Sequence, residues 1–408
     1  MKRRFSTFLL LFLLMAGQTC TTSEAPAVSP ANLTHALALV DSLKIDNETL
    51  AFIWIYADAP SYRPVEARGE GIACVDDAGR FMEVLETEIL DYRNADLLPL
   101  ARGITKFLLY MSRTDGLWHN FMYRDGSINT DHQNSTADFG WWAVRGIRGL
   151  TAAYRIFESR PADALLLQQI VARLAACETH WNAALARYPE TRPSPLGEHP
   201  AWLTKDAPDL NAELLGALCR LQASGRFDYR DAIRRLADGL CAYQFIREGH
   251  PLNGMYICWQ NSWHNWGNTQ AFALMRAFDA TGDSSYFKSV VRWADNFVPF
   301  LIENNYPHDI SIASDGQYEI RQFPQIAYGM NSIYQGINAL AESCPDPKYI
   351  QFSKQVFGWF TGSNVAGSPM YEKESGRGFD GIEPDSSINR SSGAESTIEA
   401  LLAVQKHG

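Results

Sequence analysis

From residue 75 to the C-terminus the chain alternates strongly apolar helical stretches rich in small residues with amphipathic ones, and this constrains the fold more than any other feature. The pairs are 75–90 with 97–113, 137–157 with 164–181, 210–225 with 229–245, 268–283 with 285–304, and 324–343 with 348–362. In the segment from Val75 to Leu90, Ala78, Phe81, Met82, Leu85 and Ile89 follow the three-and-four spacing of a buried helix face. In the segment from Tyr229 to Phe245, Arg230, Asp231, Arg234, Arg235 and Asp238 charge one side only. The last stretch, 394–405, has no partner after it. The stretch 32–45, NLTHALALVDSLKI, reads as a helix with Asn32 as N-cap, so the two ends are expected to pair. This makes about six hairpins with a period of about 50 to 65 residues, longer than the common solenoid repeats. The expected fold is all-α: an (α/α)6 toroid over residues 32–408, one domain with an inner ring of helices shielded by an outer one. TLAFIWIYAD, residues 49–58, is β-branched and aromatic and reads as a short β-like segment near the N-terminus.

Composition narrows the function. The 408 residues are 46% hydrophobic, enough for a sizeable core, and the net charge of −10 with no basic run after the N-terminus argues against a nucleic-acid partner. Residues 1–20 have the form of an export signal: Lys2, Arg3 and Arg4, then the apolar run FLLLFLLMAG, too short to span a bilayer. Cys20 follows where a bacterial lipoprotein is cleaved and acylated, although Gly17, Gln18 and Thr19 depart from the usual lipobox. A periplasmic or cell-surface lipoprotein is therefore expected, with ordinary secretion the alternative, and residues 21–31 form a linker. The other cysteines are widely spaced, without a CxxC or Cys/His ligand pattern, so buried thiols rather than a metal centre are expected, and no cofactor. Cys219 and Cys241 are candidates for a bridge in an oxidising compartment.

Long loops precede the inner helices at 114–137, 186–208, 246–267, 306–322 and 363–392, and in a toroid they open on one side. Polar residues cluster where these loops meet helices. TDHQNSTADFGWWAVRGIRGL, residues 130–150, passes from acids, amides and His132 through Asp138 to Trp141 and Trp142. Ala143, Gly146 and Gly149 then leave one helix edge bare enough for a neighbour to approach closely. YICWQNSWHNWGNTQ, residues 256–270, interleaves Trp259, Trp263 and Trp266 with His264, Asn265 and Asn268. Aromatic faces stack on sugar rings and amides bond hydroxyls, so Trp118, His132, Trp142, Asp209, Trp259, Trp263, His264, Asn265, Asn268 and Tyr328 are candidate substrate contacts. Asp76, Asp77, Asp138 and Glu395 are the candidate catalytic acids. Helix capping alone would explain Asp76, Asp138 and Asp209 about as well. Glu395 lies on an inward-packing side, where a carboxylate needs a polar pocket.

Three segments, GEGIACVDDAGR (69–80), NSTADFGWWAVRGI (134–147) and NRSSGAESTIEALLAV (389–404), together with the hairpin pattern, resemble the six-hairpin glycosidase-like superfamily. That superfamily includes glycoside hydrolases, polysaccharide lyases and sugar epimerases. The resemblance implies the fold and a sugar substrate. It transfers no catalytic residue, and the pattern of the unsaturated glucuronyl hydrolases is not evident.

The leading expectation is a glycoside hydrolase acting on an oligosaccharide, with Asp138 as acid and Glu395 or Asp77 as base. A lyase using Tyr328, His264 or His132 for proton abstraction is the nearest alternative, and a non-catalytic glycan-binding lipoprotein is an alternative of another class.

Overall fold

The computed structural model describes residues 28–407; the apolar N-terminal run, Cys20 and most of the linker lie outside the described residues. Six helices form an inner ring: α2 (Val75–Leu90), α4 (Trp141–Phe157), α6 (Pro208–Ala223), α8 (Gln270–Thr281), α11 (Ala327–Ser343) and α13 (Ala394–His407). Each packs on the next, and α13 closes the ring against α2. The outer layer consists of α3 (Leu98–Met111), α5 (Ala164–Leu185), α7 (Arg230–Ala242), α9 (Ser284–Arg292) continuing into α10 (Val298–Glu303), and α12 (Pro347–Thr361). This is the (α/α)6 toroid read from the hairpin pattern. No described helix is long and apolar enough to cross a membrane.

Small residues set the closest crossing. A Cβ added to Gly79 of α2 would lie 2.2 Å from the Arg145 carbonyl oxygen of α4, and one added to Gly149 would lie 2.8 Å from Gly79 Cα. Gly149 of α4 thus faces α2, where backbone meets backbone, while Gly146 makes room for the Trp118 ring.

The N-terminal expectation needs correction. The helix covers only Thr34–Ala38 (α1), and Val40–Ile45 (β1) pairs antiparallel with Glu48–Ile53 (β2). Asp46 and Asn47 turn the chain at φ 47° and 69°, the left-handed conformation that a two-residue hairpin loop requires. The sixth outer position is filled by α1 against α13 and by β2 against α3, rather than by a full helix. The outer segment 285–304 is also interrupted, by a π-type turn at Trp293–Phe297. Pro299 follows in the first turn of α10, where it offers no N–H to the preceding turn. Cys219 and Cys241 are free thiols, not a bridge.

Short strands knit the rim. Ala73–Cys74 pairs with Phe121–Met122, fixing the 114–137 loop over the start of α2. Ser262–His264 pairs with Asp309–Ile312, which pairs with Tyr318–Arg321. Gln325–Ile326 pairs with Gly381–Ile382, tying the last long loop to the start of α11.

Candidate active site

The loops and the N-terminal turns of the inner helices enclose a pocket of about 1140 Å³. Asp76 enters it from α2, Trp141, Trp142 and Arg145 from α4, Asp209 from α6, Tyr328 from α11 and Glu395 from α13; His264 and Trp266 come from the loop before α8. Helix N-termini carry partial positive charge, so a ring of them favours carboxylates and developing anions at its mouth. A second cavity, about 820 Å³, is lined by later residues of the inner helices, where Arg220 meets Glu83 at 2.6 Å and Arg155 meets Glu86 at 2.8 Å. Its Glu83 and Glu86 are each held by arginines, whereas Asp76 at the N-terminal mouth keeps an oxygen without a partner among the described residues, beside aromatic faces, so the chemistry is placed at that mouth.

The acids here are not helix caps. The cap residue of α4 is Gly140 and that of α6 is Ala207, neither with a side-chain cap bond, and α2 is capped by Cys74, whose sulfur accepts from Asp77 N. Asp138 instead accepts from Phe139 N at 2.8 Å and meets Lys205 Nζ at 2.8 Å. Asp76 Oδ2 bonds Arg145 Nη1 at 3.1 Å and Asn120 Nδ2 at 3.2 Å, while its Oδ1 has no hydrogen-bond partner among the described residues. Glu395, about half exposed, bonds Arg80 Nη1 at 2.9 Å.

Arg80 is shared. The same Nη1 lies 3.2 Å from Asp77 Oδ1, and Nε lies 3.4 Å from Glu399 Oε1. Burial, with Glu395 adding repulsion, outweighs the guanidinium and pushes the Asp77 and Glu399 carboxyls each up to about 7. Asp77 is buried and does not line the pocket, so it sits behind it, not in it. Arg145 ties the floor together: it reaches Asp76, lies 3.5 Å from Glu213, donates to the Tyr328 hydroxyl at 2.9 Å, and stands over the Trp141 ring at 5.1 Å. Tyr328 donates in turn to Glu213 at 2.9 Å. Burial would raise Glu213, but Arg145, Arg148 and Arg80 hold it down at about 2.

On the opposite wall His264 Nε2 faces Asp209 Oδ2 at 3.2 Å, and its Nδ1 lies 2.7 Å from the Trp266 carbonyl. Burial alone would lower His264, yet the Cys258 sulfur and the Asp209 carboxylate push it up to about 11; burial raises Asp209 against the pull of His264. Trp266 is held between two imidazoles, His264 stacked at 4.0 Å and His308 tilted at 4.6 Å. Burial lowers His308.

The expected sugar contacts divide. Trp142, Asp209, Trp259, His264 and Tyr328 line the pocket, and Trp259 is 51% exposed. Trp118 is fully buried under Gly146, with its carbonyl accepting from Trp142 Nε1, so it is core. Trp263 touches the pocket but has no exposed surface and packs edge-on against Phe297. Asn265 is buried beside Gly329, and Asn268 is buried with its amide on the Cys258 sulfur. His132 stands behind Phe121, edge-on at 5.2 Å, outside the lining. Sequence reasoning did not single out Arg145, Lys205, Asn120 or His308. For Arg145 a signal existed: a charge inside the apolar WWAVRGIRGL needs a buried partner.

No protein-family model matches the chain, and no curated protein matches it. Its fold matches solved structures at low identity. Cellobiose 2-epimerase from Bacillus thermoamylovorans B4167 aligns at 13% identity over 93% of this chain and 96% of its own, TM-score 0.65. A D-mannose isomerase aligns at 14% over 91% and 95%, TM-score 0.61. A family 76 glycoside hydrolase from a bovine Bacteroides thetaiotaomicron strain aligns at 13% over 87% and 72%, TM-score 0.52. The six-hairpin toroid is thus shared with sugar-processing enzymes.

Proposed function

We propose that the chain is a carbohydrate-processing enzyme whose reaction is glycoside hydrolysis, with Asp138 and Glu395 acting across the pocket. The observation that carries this reading is the convergence of acids from the starts of α2, α4, α6 and α13 on one cavity that Trp141, Trp142 and Trp259 also line. Hydrolysis needs one carboxyl to protonate the leaving oxygen and one carboxylate to activate water or attack carbon. Glu395, bonded to a buried guanidinium, is assigned as the carboxylate, and Asp138 as the donor once an incoming sugar takes the place of Lys205. Asp76 with Arg145 positions a hydroxyl at the floor. The basic and apolar N-terminus supports an exported enzyme, anchored through Cys20.

A second reading, epimerisation or isomerisation of a reducing sugar, is favoured by His264 and His308, which flank Trp266 and both line the pocket. It also agrees with the names of two of the fold neighbours. One experiment separates them. The purified protein is incubated with a panel of oligosaccharides: new reducing ends mean hydrolysis, an epimer or ketose of unchanged length means the second reading, an ultraviolet-absorbing product means a lyase, and binding alone means a lectin-like role.

A further inference from the structure

Beside the pocket, Asp209, Cys258 and His264 bring one carboxylate oxygen, one sulfur and one imidazole nitrogen to within 4.8 Å of one another. We propose that these three residues bind a zinc ion whose fourth position opens into the pocket.

The donor set is chemically suited: a thiolate, an imidazole and a carboxylate match a borderline-soft divalent cation, and three protein ligands plus an open position is the arrangement of reactive rather than structural zinc. The geometry is close to formed. His264 Nε2 and Asp209 Oδ2 are 3.2 Å apart, about the edge of a tetrahedron built on bonds of about 2.0 to 2.1 Å, and the sulfur, within 4.8 Å of both, closes the site by moving toward them.

The surroundings supply a second, independent argument. A metal-bound histidine almost always directs its other nitrogen to a carbonyl or carboxylate. His264 Nδ1 lies 2.7 Å from the Trp266 carbonyl, which fixes the ring with Nε2 toward Asp209 and Cys258. Around the sulfur, Asn268 Nδ2 donates at 2.9 Å and His264 N at 3.5 Å, the N–H shell that a thiolate needs in a buried site. Asn268, buried and away from the pocket lining, thereby acquires a role. Asp209 and His264 also line the pocket, whereas Cys258 is buried behind them, so the uncovered side of the cluster is the pocket side. Zinc would be held by Cys258 as thiolate and by His264 through an unprotonated Nε2, and the open coordination position would take water or a sugar hydroxyl.

The test uses the full chain without an affinity tag, loaded with zinc, dialysed, and assayed for metal content; a parallel sample is loaded with cobalt and scanned for thiolate-to-metal absorption in the near ultraviolet. The expected result is about one zinc per chain, lost in Cys258→Ser and weakened at least 10-fold in Asp209→Asn, and kept in Cys344→Ser, whose thiol is elsewhere. Melting curves confirm that each variant is folded, and Cys258→Ala serves should the serine fail to fold. Zinc that survives Cys258 replacement, a folded chain that retains none, or bound cobalt without the thiolate band would each overturn the proposal. None of these readouts depends on which sugar reaction the pocket performs.

Discussion

Asp138 and Glu395 are the residues on which the hydrolytic reading stands. Asn and Gln keep the shape of each but neither donate nor accept the proton as the reaction requires. Asp138→Asn and Glu395→Gln are each expected to lower turnover by roughly two to four orders of magnitude while substrate still binds. Since α4 takes no side-chain cap from Asp138, Asp138→Asn should melt close to the parent, whereas Glu395→Gln keeps an acceptor for Arg80 but gives up the ion pair and should melt somewhat lower; unchanged activity on a hydrolysed substrate would remove the residue from the mechanism. Trp259 is the aromatic with a free face. Its replacement by Ala should weaken sugar binding by about 0.5 to 1.5 kcal/mol, read by titration, with little loss of stability. Trp263→Ala, by contrast, should chiefly unfold the protein, because that ring is wholly buried. The two tryptophans looked alike in sequence, since both lie in a polar loop. What separates them is the three-stranded rim sheet, which pairs Trp263 with Ile310 and turns its ring inward, a contact between segments some 45 residues apart that no local pattern reveals.

At the scale of elements, the helices were legible because an inner helix is apolar around most of its surface and an outer one on one side only. The N-terminal segment misled because Leu33, Ala36, Leu37, Leu39 and Val40 fit a helical face as far as the chain then turns into β1. The readable signal was Asp46–Asn47, two residues that tolerate positive φ between segments of mixed polarity. The pocket acids were legible for a related reason: the first turn of a buried helix is where polar sequence gives way to apolar. Their partners were less so, because Lys205 and Arg145 reach Asp138 and Asp76 from other elements. The α2–α4 contact offers a test of the ring itself. Gly79→Ala would drive a methyl into the Arg145 carbonyl, which a rigid backbone cannot yield without moving α4. A loss of about 1 to 3 kcal/mol in urea unfolding is expected, together with a fall in activity, because Arg145 and Asp76 share that crossing. A substitution as silent as one on an exposed helix face would mean that the two helices do not meet so closely.

On the scale of the whole molecule, the Arg80 cluster joins three inner helices across the closure of the toroid: Asp77 and Arg80 from α2, Glu399 from α13, and Asn331 of α11, whose amide donates to Glu399 at 2.6 Å. One guanidinium serves three carboxyls there, so protons are retained by Asp77 and Glu399 up to about pH 7. In the unfolded chain such carboxyls ionise near pH 4. Between about pH 4 and 7 the folded chain therefore holds protons that the unfolded chain has released, and the stability linked to these two groups is full below that window and declines as pH rises through it. Burial lowers His35, His199, His308 and His407, and these work in the opposite direction, since the stability linked to them is present above about pH 6.5 and lost as pH falls. The sign is thus read from a difference. Asp77→Asn and Glu399→Gln remove the retained proton and keep a hydrogen-bonding side chain beside Arg80. Urea unfolding at several pH values from 4.5 to 7.5 should show the parent losing stability relative to each variant as pH rises. Parallel curves would mean that the closure of the ring is held without protons on these carboxyls.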